Sequence, residues 1–453
     1  MPSNSIAALI LAAGKGTRMK SSFPKVMHQV ANRTLLGHVI GTAESLNSDR
    51  VVVVVGPGMD NVAAEAAPHT TVTQAQQNGT ADAVKPARDA LAGLGAGTVL
   101  ILYGDTPFIR PETLQAMLER RADGAGIVVL GFQPDNPGEY GRLIVSEDGG
   151  LDAIVEYREA NEAQRAVTLC NSGVLAVDLE KLFGWIDQVT NDNAKGEFYL
   201  TDIVAIARTE GVIAAVIEAD ESEFLGVNSR ADLAGAESYW QRERRSIMMA
   251  NGVTLIDPET VYFAADTNVA PDVRIGPNVV FGPNVTIERN VEIKAFCHIE
   301  GATIGAGAVI GPFARLRPGA VLEQGVHIGN FVEVKNSHIG EGAKANHFTY
   351  LGDSTVGAKT NIGAGTITCN YDGFFKHRTI IGANAFIGSN TALVAPVTVG
   401  DGAIVGAGSV VTREVSKNAL VVARGRQEER EGWAQEFRVE QQTKKDQLSK
   451  SKG

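Results

Sequence analysis

RIGPNVVFGPNVTIERNVEIKAFCHIEGATIGAGAVIGPFARLRPG, Arg274 to Gly319, carries a large apolar residue at every sixth position: Ile275, Phe281, Ile287, Ile293 and Ile299. After a five-residue step come Ile304, Ile310, Leu316, Leu322, Ile328 and Val334, and the series returns at Ile381, Ile387, Leu393, Val399 and Val405. Glycine often follows at once, as in IGPN, IGAG, IGPF, IGNF and VGDG. A period of six is neither that of a helix nor that of a flat strand. It is the signature of hexapeptide repeats wound into a left-handed parallel β-helix.

Three hexapeptides make one triangular coil, each aliphatic pointing inward from one face. A coil of roughly eighteen residues loses roughly 18–36 kcal/mol of backbone entropy. Its few inward aliphatics return only about 1.5–3 kcal/mol each. A lone coil therefore cannot stand, whereas stacked coils share a core and hydrogen-bond ladders. The register fails between about Thr368 and Thr379, at TCNYDGFFKHRT. A solenoid extrudes such a segment as a loop, often on its binding face. Past Arg424 the chain is charged and ends KKDQLSKSKG, which predicts a short helix followed by disorder.

Upstream, to about residue 228, strand-like and helix-like segments alternate. VVVVV (Val51 to Val55) and TVLILYGD (Thr98 to Asp105) are continuous apolar runs, as strands buried on both faces of a parallel sheet require. NVAAEAA, TADAVKPARDALAGL and PETLQAMLERRAD have helical periodicity. The rhythm predicts a doubly wound, Rossmann-like α/β domain. Ser229 to Gly252 reads as a connecting helix, with Ser229 as its cap and Asn251-Gly252 as its stop. The predicted organisation is therefore a nucleotide-binding domain over 1–228, a linker helix over 229–252 and a β-helix with a tail over 253–453.

Composition narrows the class. The 453 residues are 44% apolar and 21% charged, with a net charge of −11. That charge argues against a general nucleic-acid binder, whose affinity comes from neutralising phosphates. The three cysteines, Cys170, Cys297 and Cys369, lie far apart without metal-ligand spacing, as reduced thiols of a cytoplasmic protein do. The first residues lack a cationic n-region, and the first apolar run is too short for a membrane span.

Chemistry is signalled first by LAAGKGTRMKSSFPK, Leu11 to Lys25, after the apolar run from Ile6. It lacks GxxxxGK[ST], and Met19 stands where GxGxxG needs its third glycine. Still, a glycine turn after a strand exposes backbone N–H groups, and Lys15, Arg18 and Lys25 add positive charge. Together they suit an anionic chain such as a nucleoside triphosphate. Asp105 then falls at the C-terminal end of a parallel strand, where ligands of open α/β sheets bind. A hard carboxylate beside phosphates is a Mg²⁺ ligand by type.

The order and spacing of LAAGKGTRM, FPK, QNGTADAV, YGDTP, EYGRLI, IVEY, CNSGV and GVNSR resemble the sugar-nucleotide pyrophosphorylases. The second half carries GPFARLRPG, GNFVEVKNS, ANHFTYLGDS, NIGAGTITCNYDG and GSNTALVAPV. Together the halves resemble the bifunctional bacterial N-acetylglucosamine-1-phosphate uridyltransferases and glucosamine-1-phosphate acetyltransferases. The resemblance implies acetyl transfer from acetyl-CoA to glucosamine 1-phosphate. UTP and N-acetylglucosamine 1-phosphate would then give UDP-N-acetylglucosamine, a cell-wall precursor, and pyrophosphate. It also implies a homotrimer in the cytoplasm.

Matched residue by residue, the resemblance implies that Leu11, Ala12, Ala13 and Gly14 lie on the nucleotide, with Arg18 and Lys25 on its phosphates. Gln74, Gly79 and Thr80 meet the uracil side, and Tyr103 and Gly104 flank the nucleotide. Asp105 and Asn228 hold Mg²⁺, and Gly141, Glu156 and Asn171 face the sugar. In the second half His347 is the general base, with Glu333 expected to orient it. Arg317 and Lys335 bind the sugar phosphate, and Tyr350, Asn361, Asn370 and Tyr371 line the sugar pocket. Ala364, Ser389, Ala407 and Arg424 meet acetyl-CoA. A competing reading keeps the pyrophosphorylase and makes the β-helix a regulatory or oligomerising domain.

Overall fold

The computed structural model describes residues 5–14, 16–147 and 149–450. Lys15, one of the cations expected on the phosphates, lies outside them. Contacts divide the chain into two units, Met1–Ile247 with Tyr262–Ala265, and Met248–Val261 with Asp266–Gly453.

The first unit is built on one sheet. Its strands run in the order Ala214–Glu218, Ile127–Phe132, Cys170–Asp178, Gly97–Tyr103, Ser5–Leu11, Arg50–Val55, Thr70–Thr73. Alternate residues of each central strand feed two separate cores. Leu9, Val52, Val54 and Ile101 pack with Trp185, Ile203 and Val204 on one face. Ile10, Val53, Leu100 and Leu102 pack with Leu36, Val39, Leu114 and Met117 on the other. This two-sided burial is why the strands read as unbroken apolar runs, and the doubly wound prediction holds.

Two details differ from the sequence reading. The sheet is mixed, because Cys170–Asp178 runs antiparallel to both its neighbours. Off it hangs the hairpin Arg142–Val145 with Leu151–Val155. TADAVKPARDALAGL is not one helix: Thr80–Val84 gives way to a 3₁₀ turn, Lys85–Ala87, before Arg88–Leu91. Pro86, which has no N–H to continue the ladder, sits at the break.

The helix Arg230–Ala250 starts on a reciprocal cap. Ser229 Oγ accepts from the Asp232 N–H at 3.2 Å, and the Asp232 carboxylate accepts from the N–H groups of Ser229 and Asn228 at 2.9 and 3.0 Å. That cap fixes Asn228. The helix buries Ala236 in a small cluster with Met19, Leu35 and Val227.

The second unit is three parallel sheets of ten, eight and eight strands, most only two or three residues long. Ile275, Ile293, Ile310 and Ile328 pair in register on successive coils of one sheet. Every periodic apolar residue named above from this half is buried, so the parallel β-helix prediction holds. The stack begins upstream of the visible repeat. Thr254–Leu255 already pairs with Arg274–Ile275, a longer step than three hexapeptides, which broke the count of six.

The extruded loop is where the period failed. Tyr371 bridges Lys376 to make a small hairpin, and the Asp372 carboxylate ties it. Asp372 accepts from the N–H groups of Phe374 and Phe375 and lies 2.7 Å from His377 Nε2. The Phe375 N–H, then His377, then the Phe374 N–H hold its carboxyl well below the usual carboxylate range. The tail helix is longer than expected, Trp433–Lys450 with 18 residues and exposed over 433–449, and the end of the tail lies outside the described residues. No helix among the described residues is long and apolar enough to cross a membrane.

Candidate active sites

In the first unit the chain leaves the strand Ser5–Leu11 at the carboxyl edge of the sheet and turns sharply. Gly16 sits at φ 66°, and a Cβ there would fall 2.4 Å from Lys25 Cβ, so only glycine lets the turn close over Lys25. A cavity of about 410 Å³ opens at this edge. Leu11, Ala12, Ala13 and Gly14 form one wall, Gln74, Gly79 and Thr80 another, and Lys25, Tyr103 and Asp105 the base. Gly104 lies against Val26 and Ala12 beside it.

Charge is concentrated at one point. Lys25 Nζ ion-pairs with Asp105 Oδ2 and donates to Asn228 Oδ1 at 3.0 Å, while Arg18 Nη2 donates to the same Asn228 oxygen at 2.9 Å. Four sequence-predicted residues, separated by up to 210 positions, therefore meet. The two oxygens are hard donors of the kind Mg²⁺ takes. Among the described residues no group of three or more His, Cys, Asp or Glu side chains gathers for a metal. A cation here fits only if phosphate oxygens and water complete its shell, and only if Lys25 moves off Asp105.

Gln74 is buried, and its Nε2 donates to Gly79 O and to Asp82, both at 3.0 Å. Its donor end is thus occupied and its carbonyl oxygen is left to accept. Tyr103 bonds Thr80, and burial foremost, then Asp105 and Glu156, push its phenol up.

Gly141, Glu156 and Asn171 do not line this cavity. Asn171 N–H donates to Gly141 O at 2.9 Å, while the charge of Glu156 acts on Tyr103 in the cavity wall. Burial raises the Glu156 carboxyl above its ordinary value, against the pull of Lys195. Sequence reasoning passed over Gln77, whose Nε2 donates to Ala13 O at 2.6 Å, and Glu197, which also lines the cavity. Gln77 lay inside the quoted QNGTADAV, next to residues that were assigned.

In the second unit His347 is exposed at the end of the strand Lys344–His347. Its Nδ1 lies 2.8 Å from Asn330 Oδ1, the residue paired with it one coil away. This corrects the expected orienting role of Glu333, which pairs instead with Arg317 at 2.8 Å. An amide oxygen only accepts, so Nδ1 carries the proton and Nε2 is left basic. Both residues line a cavity of about 360 Å³ with Lys294 and His327.

Lys335 stands against Lys376 of the extruded hairpin and lowers the Lys376 ammonium, while Asp353 and Tyr350 oppose that effect. Asp353 is gripped by Asn336 at 2.6 Å and by the buried Asn370. Tyr371 is exposed on the hairpin, and Asn361 pairs in register with Lys344. No hydrogen bond or ion pair among the described residues joins His347 to Arg317 or Lys335. Lys376 was missed because a lysine in an aperiodic loop gives no sign of where it lands.

Ala364, Ser389, Ala407 and Arg424 form a row on successive coils below His347. Gly365 N–H donates to His347 O, Asn390 N–H to Ala364 O, and Gly408 N–H to Ser389 O. Arg424 Nη1 donates to Ala407 O at 2.8 Å.

Comparison with known proteins matches both units. The family model for a MobA-like NTP transferase domain matches residues 8–172. The bacterial transferase hexapeptide (six repeats) matches 266–301 and 301–336, and the hexapeptide repeat of succinyl-transferase matches 378–413. The bifunctional protein GlmU of Paramagnetospirillum magneticum is 57% identical over 447 residues, covering 98% of this chain and 99% of the relative. That of Rhodospirillum rubrum is 58% identical over 435 residues, covering 96% and 97%. That of a Ruegeria species is 52% identical over 453 residues, covering 99% and 100%.

Proposed function

We infer the function from the premise that this chain belongs to the family of bifunctional GlmU proteins. It is a bifunctional transferase, with a nucleotidyltransferase unit that acts as a uridyltransferase and a hexapeptide-repeat unit that acts as an acetyltransferase. The observation that carries the acetyl-transfer half is the exposed His347 ring, with its Nδ1 2.8 Å from Asn330 Oδ1 and its Nε2 free of that contact.

The amine of glucosamine 1-phosphate attacks the thioester carbonyl of acetyl-CoA. The C–N bond forms, the proton passes to His347 Nε2, and the C–S bond breaks to release CoA, which takes a proton as its thiol. Arg317, Lys335 and Lys376 supply charge-assisted donors for the sugar phosphate. Tyr350, Asn361, Asn370 and Tyr371 shape its pocket. Ala364, Ser389, Ala407 and Arg424 form a track for acetyl-CoA, with Ser389 near the thioester oxygen.

In the first unit the phosphate oxygen of N-acetylglucosamine 1-phosphate attacks the α-phosphorus of UTP in line, and pyrophosphate leaves. Such chemistry asks mainly for positioning and charge neutralisation. Lys25 and Arg18 supply cations, and the Gln74 carbonyl accepts from the uracil imide N–H. Gly141, Glu156 and Asn171 hold the sugar. Asp105 and Asn228, together with phosphate oxygens, would hold Mg²⁺, which would supply positive charge against the negative charge of the departing pyrophosphate. The enzyme works in the cytoplasm.

Supplying glucosamine 1-phosphate, acetyl-CoA, UTP and Mg²⁺ should yield both free CoA thiol and UDP-N-acetylglucosamine. Pyrophosphate release from N-acetylglucosamine 1-phosphate with no thiol release from glucosamine 1-phosphate would reduce the β-helix to a regulatory domain.

The oligomer we propose is a trimer. Phe296, Phe313, Phe331 and Phe348 stack along one edge of the solenoid at centroid spacings of 4.9, 5.1 and 5.2 Å. All four hold positive φ, between 48° and 61°, and are 45–62% exposed. Bulky residues in left-handed backbone cost on the order of 1–3 kcal/mol each. A partner surface that buries the ladder would offset that cost. Light scattering should give three times the chain mass, and a monomeric mass at micromolar concentration would contradict it.

A further inference from the structure

Arg142 opens the strand Arg142–Val145 and is only 2% exposed. No carboxylate among the described residues pairs with it, and its partners are neutral. Nη2 donates to Gly138 O at 3.0 Å, Nη1 to Pro137 O at 3.3 Å and to Tyr140 O, and Nε to Arg165 O at 3.4 Å. Nη1 also reaches Cys170 Sγ at 3.8 Å, and the Tyr157 ring lies 5.5 Å from the guanidinium carbon. Burying an ion costs several kcal/mol even after relaxation, so this arrangement is a poor source of stability. What it provides is geometry. Five donors in one rigid plane fix the carbonyls of the loop before the strand relative to the end of the short helix Glu162–Arg165.

All three residues assigned to the sugar are one step from a group that Arg142 holds. Gly141 lies between Tyr140 and Arg142 itself. Asn171 follows Cys170, and its N–H donates to Gly141 O. Glu156 precedes Tyr157. The antiparallel pairing of Cys170 with Arg142 brings these segments side by side. Arg165 stacks on the same Tyr157 ring, with its guanidinium carbon 4.9 Å from the centroid. The sugar subsite thus consists of three chain segments that meet on one buried guanidinium.

We propose that Arg142 is the positioning residue of the sugar subsite, fixing Gly141, Glu156 and Asn171 relative to one another without touching the substrate. This rests on the assignment of those three residues to the sugar. The test is steady-state uridylyl transfer by Arg142→Lys, Arg142→Met and Asn171→Ala, varying each substrate with the other saturating. Both Arg142 variants should raise the KM for N-acetylglucosamine 1-phosphate by about tenfold to a hundredfold, as misplacement of about an ångström does. Their KM for UTP should stay at the wild-type value. Acetyl transfer by the same preparations should be unchanged, and the unchanged KM for UTP, read on the unit that holds Arg142, shows that this unit is folded; Arg142→Lys carries the test if Arg142→Met proves poorly stable.

An unchanged sugar KM in Arg142→Lys, with a raised one in Asn171→Ala, overturns the positioning role and leaves the sugar assignment standing. Unchanged values in both overturn the role and the assignment together. Equal rises for both substrates, or a fall in kcat alone, mean that Arg142 only supports the fold, and also overturn the proposal.

Discussion

His347→Ala should lose acetyl transfer by about 10²- to 10⁴-fold, the usual contribution of a positioned general base, while uridylyl transfer continues at the wild-type rate. The ring is exposed at a strand end and takes no part in the buried apolar stack, so its removal opens no internal cavity. What is lost is a specific protonation geometry. Asn330 Oδ1 accepts from Nδ1 and thereby leaves Nε2 to receive the amine proton. Asn330→Ala should therefore act in the same direction but by less, because the imidazole remains and only its tautomer and orientation are released. Thiol release from acetyl-CoA, followed with glucosamine 1-phosphate as acceptor, reads both variants. A rate in His347→Ala within a few-fold of wild type would remove the base from that position.

Asp105→Ala should abolish uridylyl transfer and leave acetyl transfer and the folding transition in place. The loss should be on the order of 10²- to 10³-fold, as for removal of one preorganised electrostatic contact. Asp105 pairs with Lys25 in a largely but not fully buried site, the two side chains being 20% and 16% exposed. After its removal Lys25 still has Asn228 Oδ1 within 3.0 Å and solvent besides, so no cation is stranded in an apolar core. The lost function is a hard oxygen donor aimed at the triphosphate. Pyrophosphate release, titrated over a wide range of Mg²⁺ concentration, checks it. Full turnover by Asp105→Ala at saturating Mg²⁺ would mean that the carboxylate holds no metal.

Much of this was readable from residues alone, and the failures have identifiable physics. The β-helix was legible because each repeat offers one inward aliphatic at a fixed step. Its first coil was not, because Leu255 and Ile275 pair across a longer step than the coils that directly follow use. The doubly wound sheet was legible in VVVVV and TVLILYGD. An apolar run buried on both faces carries no sign of strand direction, and so the antiparallel Cys170–Asp178 went unread.

In the sites, Lys25, Asp105 and Asn228 were found through motif matching, and the structure brings them to one point. The partner of His347 was misread, because solenoid register sets Asn330 beside it while Glu333 turns to Arg317. Lys376 depended on the fold of an aperiodic hairpin that no local pattern fixes.

The central claim is that two chemically separate active sites occupy one chain. Its most direct test is to measure both half-reactions, under one set of conditions, on both His347→Ala and Asp105→Ala. A crossed result is expected, each variant silent in one reaction and at wild-type rate in the other. Loss of both activities in either variant, with the folding transition unchanged, would contradict it.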